Sequence, residues 1–115
     1  MPAQSVVDLN HLARYTGGDL ALNSEILRLF DAQTSEMVGR LQAILDSRDT
    51  KSWKEITHTL KGAARGIGAF PFADAAAAAE PIDPALDRSS AALAVEALQT
   101  RGEAVRAFIK AYLEP

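Results

Sequence analysis

Lys51-Ser52-Trp53-Lys54-Glu55-Ile56-Thr57-His58-Thr59-Leu60-Lys61-Gly62-Ala63-Ala64-Arg65-Gly66-Ile67 is the stretch of this chain that decides its fold. At about 100° per residue, the helical period, Trp53, Ile56, Leu60, Ala63, Ala64 and Ile67 recur at steps of three and four and fall on one face. That spacing is what an amphipathic helix needs to bury one side against a core. His58 lies roughly opposite the mean direction of this apolar seam. Lys54 at i−4, Lys61 at i+3, Gly62 at i+4 and Arg65 at i+7 share its outer face. The stretch therefore predicts a core helix that carries a solvated imidazole ringed by cations, next to a position with no side chain. Such a surface is suited to receiving an anion.

The helical period continues on both sides, and no segment alternates with period two for long enough to make a strand. Upstream, Val6 to Tyr15 reads as a short first helix, with Asp8 as N-cap and Gly17-Gly18 as the stop. Asp19 then caps a long helix running to about Asp46. Its seam takes Leu22, Ile26, Leu27, Phe30, Met37, Leu41, Ile44 and Leu45, interrupted at Gln33 and Thr34. The polar connection Asp46-Ser47-Arg48-Asp49-Thr50 is short, which favours antiparallel packing of the helices it joins. Either Thr50 caps the His58 helix or Ser52 and Glu55 form a capping box, leaving Lys51 inside or just outside the first turn.

Downstream, Gly66 and Gly68 weaken the His58 helix at its end, and Phe70-Pro71 restarts a helix with proline near its first turn. This helix carries Ala75 to Ala79, a run that means close helix packing, and it ends by Pro81 and Pro84. Ser89 or Ser90 caps the last helix, whose seam takes Ala94 or Val95, Leu98, Gly102, Val105, Phe108 or Ile109, and Tyr112. Gly102 costs about 1 kcal/mol of helix propensity, which a seam position repays by admitting a neighbouring backbone. Tyr15, Tyr112 and Trp53 read as packing residues. The expected architecture is all-α: an antiparallel up-and-down four-helix bundle with a short additional N-terminal helix.

A chain of 115 residues suits one domain over residues 1–115, with one hydrophobic core. With 48% apolar and 23% charged residues the composition excludes disorder. A net charge of −3 argues against generic nucleic-acid binding, which leaves a basic footprint. Cysteine is absent, which removes disulfides, thiolate catalysis and cysteine metal sites and is compatible with a reducing compartment. Met1-Pro2-Ala3-Gln4-Ser5 lacks the basic-then-apolar pattern of a secretory signal. No apolar run approaches the roughly 20 residues of a membrane span. A soluble, cytoplasmic protein is expected, with no linker, internal repeat or low-complexity tail.

The chemistry follows from the outer face. A neutral imidazole is a good nucleophile near pH 7. Its nitrogen can attack a phosphoryl group in line while Lys61 and Arg65 neutralise the equatorial oxygens. Gly62 leaves one side of the ring open, and Lys54 is either a contact or a solvated charge. The segment Gly62-Ala63-Ala64-Arg65-Gly66 is small for an exposed helix surface, and room for a docking partner explains that. No metal site is expected, since neither His11 nor His58 has a second histidine at helical spacing and there is no cysteine. His11 reads as a surface residue. Neither a Walker loop nor a nucleophile elbow is present.

His58-Thr59-Leu60-Lys61-Gly62-Ala63-Ala64, followed by Ile67-Gly68-Ala69, resembles the signature of histidine-containing phosphotransfer (HPt) domains. Gly18-Asp19 with Leu27 and Leu29-Phe30 resembles the start of that family's second helix. Glu80 stands where the family tends to place a Glu or Gln that reaches the phosphorylatable ring. The resemblance implies a single HPt domain in which His58 takes a phosphoryl group from a receiver-domain aspartate and passes it to another, with no kinase activity of its own. It implies that Lys61 steadies the phosphoryl group, Gly62 clears space and Glu80 bonds Nδ1 so that Nε2 reacts. Lys54, Arg65, Gly66 and Gly68 then border the docking face. The implied partners are receiver domains of response regulators and of hybrid histidine kinases. They would be met by a monomer that binds no cofactor, nucleic acid or membrane, with Mg2+ in the receiver's acidic pocket. After Glu80 no further residue carries the resemblance, and Pro81 to Asp87 and the last helix fit the bundle but add no functional signal. The competing reading is a helical adaptor that docks a receiver or kinase domain without being phosphorylated; the two part at His58→Gln.

Overall fold

Four aspartates set where helices begin. In the computed structural model, which describes residues 5–114, the side chains of Asp8, Asp19, Asp49 and Asp87 accept backbone N–H groups of the first turns of α1 (Leu9–Thr16), α2 (Leu20–Ser47), α3 (Thr50–Ile67) and α5 (Arg88–Leu113). The remaining helix, α4 (Phe70–Ala79), has no side-chain cap and carries proline in its first turn instead. The described residues are all-helical, with no strand. No described helix is long and apolar enough to cross a membrane. The leader reading of Met1 to Gln4 lies outside the described residues.

Two caps correct the sequence expectation. Asp49 caps α3, in place of Thr50 or a Ser52–Glu55 box, and it accepts from both the backbone N–H and the hydroxyl of Ser52. Lys51 therefore sits inside the first turn. Asp87 caps α5, in place of Ser89 or Ser90. In both cases an ionised carboxylate is the stronger acceptor, and its charge favours the positive end of the helix. Helix α1 begins only after its cap, so Val6 and Val7 precede it, with Val7 buried.

Helix α2 packs against α3 and α5, α4 packs against the same two, and α1 lies on α2 and α3. Trp53, Phe72, Leu12, Leu27, Leu41, Leu60 and Leu98 are fully buried between them. The Trp53 indole N–H donates to the carbonyl of Ala79 at 2.9 Å, tying α3 to the end of α4. Ala73, Ala76 and Ala79 are buried, so the alanine run provides the close packing expected of it. Arg88 at the start of α5 reaches Asp46 and the Leu45 carbonyl at the end of α2. Asn23 near the start of α2 donates to the Tyr112 hydroxyl near the end of α5 at 3.3 Å.

Several seam assignments shift. The buried line of α2 is Asn23, Leu27, Phe30, Thr34, Val38, Leu41, Ile44 and Leu45. Leu22 is exposed, Met37 is half-buried, and Thr34 continues the seam that the sequence reading saw interrupted. Phase decided burial there, not side-chain type: the steps of three and four run through the polar residues. Ala63 is exposed at the edge of the α3 seam. Tyr15, in the last turn of α1, is 69% exposed and so is not a core residue. Val95 and Ile109 are the buried members of their pairs in α5. Gly102 admits a ring instead of a backbone: a Cβ there would stand 3.4 Å from Cε2 of Phe72.

Candidate functional site

Thr57 is buried on α3, and its hydroxyl donates back to the carbonyls of Trp53 and Lys54. The next residue along the helix points a further 100° around, and this turns His58 outward. Its side chain is 71% exposed. The ring is nevertheless held. Nδ1 lies 3.3 Å from Oε2 of Glu80, the residue that follows α4. The Trp53–Ala79 hydrogen bond fixes the end of α4 one residue before Glu80, so a core contact positions a surface one.

Glu80 holds a second partner. Lys61 Nζ stands 2.9 Å from Oε2 and 3.2 Å from Oε1. The Lys61 hydrogen bond, followed by that of His58, holds the Glu80 carboxyl below its ordinary range, while partial desolvation works against them. An ionised carboxylate only accepts, so Nδ1 carries the ring hydrogen. In the neutral ring Nε2 is then the lone-pair nitrogen, with no protein partner among the described residues.

The structure thus brings together three residues singled out in the sequence: His58, Lys61 and Glu80. Lys54 is exposed and borders an open recess with Lys51, Glu55, His58 and Glu80. Arg65 is exposed on the same face, one turn beyond Lys61. A Cβ built on Gly62 or Gly66 meets nothing within 4 Å, so both are open surface.

Gly68 does not belong to this surface. It is buried, with φ +83° as the C-cap of α3, and a Cβ there would lie 2.6 Å from the Asp8 carbonyl oxygen. The Asp8 N–H also donates to the Gly68 carbonyl at 2.9 Å. Its role is to turn the chain and seat the start of α1. His11 also differs from expectation: it is half-buried, edge-on to Tyr15 and Phe70. Sequence reasoning passed over Lys51 and Glu55 as site residues. The signal was present in their spacing, i−7 and i−3 from His58, but it counts only once the helix is known to start before Lys51. A separate hollow between α2 and α5, lined by Phe30, Val38, Leu98 and Arg106 among others, contains none of the residues around His58.

A family model described as "Hpt domain" matches residues 25–113. That span runs from the second turn of α2 to the end of α5 and contains His58, Lys61 and Glu80 together. Comparison with curated proteins and with solved structures gives no match. Because the match covers most of the chain, including the whole of the His58 site, this protein belongs to the Hpt domain family, the phosphocarriers of two-component phosphorelays.

Proposed function

We propose that His58 is the phosphorylated residue, accepting a phosphoryl group from a receiver-domain aspartyl phosphate and passing it to the aspartate of another receiver. The observation that carries this reading is the hydrogen bond from Nδ1 to Glu80, because it fixes the tautomer and leaves Nε2 exposed as a nucleophile. In the forward step the Nε2 lone pair forms a bond to phosphorus as the P–O bond to the receiver breaks, and the aspartate leaves with that electron pair. The hydrogen stays on Nδ1, and Glu80 balances the positive charge that the ring acquires. The reverse step returns the P–N electron pair to Nε2. Mg2+ belongs to the receiver's acidic pocket. The domain supplies the nucleophile and no kinase chemistry.

In this reading Gly62, Arg65 and Gly66 border the surface on which the receiver docks. Helices α2 to α5 form an antiparallel up-and-down bundle, a reading supported by the pairing of the start of α5 with the end of α2 and of Tyr112 with Asn23. The test is incubation of the protein with a phosphorylated receiver domain and Mg2+, beside His58→Gln. The expected result is an acid-labile, alkali-stable label on the wild type alone. Receivers that bind without transferring label would favour the adaptor reading instead.

A further inference from the structure

We infer that the phosphoryl group on His58 is met by Lys54, with Lys51 behind it, while Lys61 serves the ring through Glu80. This rests on the function proposed above and departs from the role that the family resemblance implies for Lys61. Lys61 is already engaged. Its ammonium lies within hydrogen-bond distance of both carboxylate oxygens of Glu80, and its side chain is only 19% exposed. A lysine held in this way has two of its three ammonium hydrogens committed to Glu80. Turning away to a phosphoryl oxygen would strip Glu80 of its main counter-charge just as the ring needs that carboxylate.

Lys54 and Lys51 are differently placed. Both are exposed, and neither lies within ion-pair distance of a carboxylate among the described residues. Both border the recess that opens beside the imidazole, whereas Lys61 does not. Helical side chains lean toward the helix N-terminus, so the His58 ring overlies the turn that Lys54 occupies. With Glu80 neutralised by Lys61, the recess presents two ammonium groups against one carboxylate, that of Glu55, which has no ion-pair partner among the described residues. The cations of the site are thereby divided. One fixes the acceptor that orients Nδ1, and two face the anion arriving at Nε2. In the transfer step, Lys54 contacts the phosphoryl oxygens while the P–N bond forms and the receiver's P–O bond breaks, and no proton moves between them.

The experiment is single-turnover phosphoryl transfer from a phosphorylated receiver with Mg2+ to the full chain, measured over receiver concentration. Variants are Lys54→Ala, Lys54→Arg, Lys61→Ala, Glu80→Gln and the pairwise combinations with Glu80→Gln. Lys54→Ala is expected to lower the maximal rate by about tenfold or more, with Lys54→Arg recovering most of it. Its effect multiplies with that of Glu80→Gln, because the two act on different groups. Lys61→Ala and Glu80→Gln do not multiply, because Lys61 acts through Glu80. The inference is overturned if Lys54→Ala stays within roughly twofold of wild type at saturating receiver. It is equally overturned if Lys54→Ala changes only the half-saturating concentration, or if Lys61→Ala and Glu80→Gln multiply fully. Absence of label on the wild type would instead remove the proposed function itself.

Discussion

Glu80 is where the chemistry of the site can be tested with one atom changed. Its carboxylate accepts from Nδ1 of His58 and pairs with Lys61; an amide oxygen could still accept the first, but the second depends on the negative charge. Glu80→Gln keeps the shape and removes the charge, so the rate at which His58 accepts a phosphoryl group should fall by about tenfold, read as single-turnover label uptake at pH 7. The same substitution has a pH signature. Lys61 foremost holds the folded-state pKa of Glu80 below its unfolded value, so the group stabilises the fold above that unfolded value. This contribution is lost as pH falls through the depressed folded value. Melting curves of wild type and Glu80→Gln should therefore differ at neutral pH and converge under acid conditions below the ordinary carboxylate range. A difference that persists unchanged in acid would mean that the Lys61 pair contributes nothing. At this scale much was legible in the sequence. The outward direction of His58 followed from the period of its own helix, and the reach of Glu80 followed from a family resemblance. The engagement of Lys61 was not legible, because it depends on how the end of α4 lies against α3.

Among the elements, the end of α3 shows what spacing alone cannot separate. Gly66 and Gly68 look alike in sequence, two glycines one residue apart in a weakening helix. In the fold, Gly66 is an exposed helical position with open space around it, while Gly68 is a left-handed cap pressed on the backbone of Asp8. Opposite outcomes follow for one substitution. Gly66→Ala should stabilise the domain by up to about 1 kcal/mol through helix propensity. Gly68→Ala should destabilise it by at least about 2 kcal/mol, since it adds left-handed strain to a clash that only backbone movement relieves. Urea unfolding of both variants checks the pair, and equal midpoints would refute the assignment. Helix starts carry a similar lesson. Capping by aspartate was legible at Asp8 and Asp19, but at α3 and α5 the hydroxyl residues nearby competed for the same role in the reading. Asp49 and Asp87 hold the cap position because each accepts the N–H three residues on, where its charge also suits the positive end of the helix.

For the whole molecule, the long seam of α2 holds one polar position that burial does not satisfy. Asn23 donates to Tyr112, yet its Oδ1 has no partner among the described residues. Asn23→Leu should leave stability unchanged or raise it by up to about 1 kcal/mol, since it removes an unpaired acceptor and lets the half-exposed Tyr112 hydroxyl turn to water. Thermal denaturation decides this, and a loss of stability would mean that the hydrogen bond outweighs the orphaned carbonyl. The helical class and the order of the elements could be read from periodicity and turn residues. Which polar residues fall inside could not, because phase along a 28-residue helix is set by the neighbours on both sides. Trp53 has one further consequence. It is the chain's only tryptophan, fully buried, with its indole hydrogen-bonded at the junction of α3 and α4. Its fluorescence is therefore a built-in optical reporter of that junction. Events confined to the outer face, a docked receiver or a phosphorylated His58, should leave the emission blue and unchanged. A red shift would signal that α4 has parted from α3 and that Glu80 has gone with it.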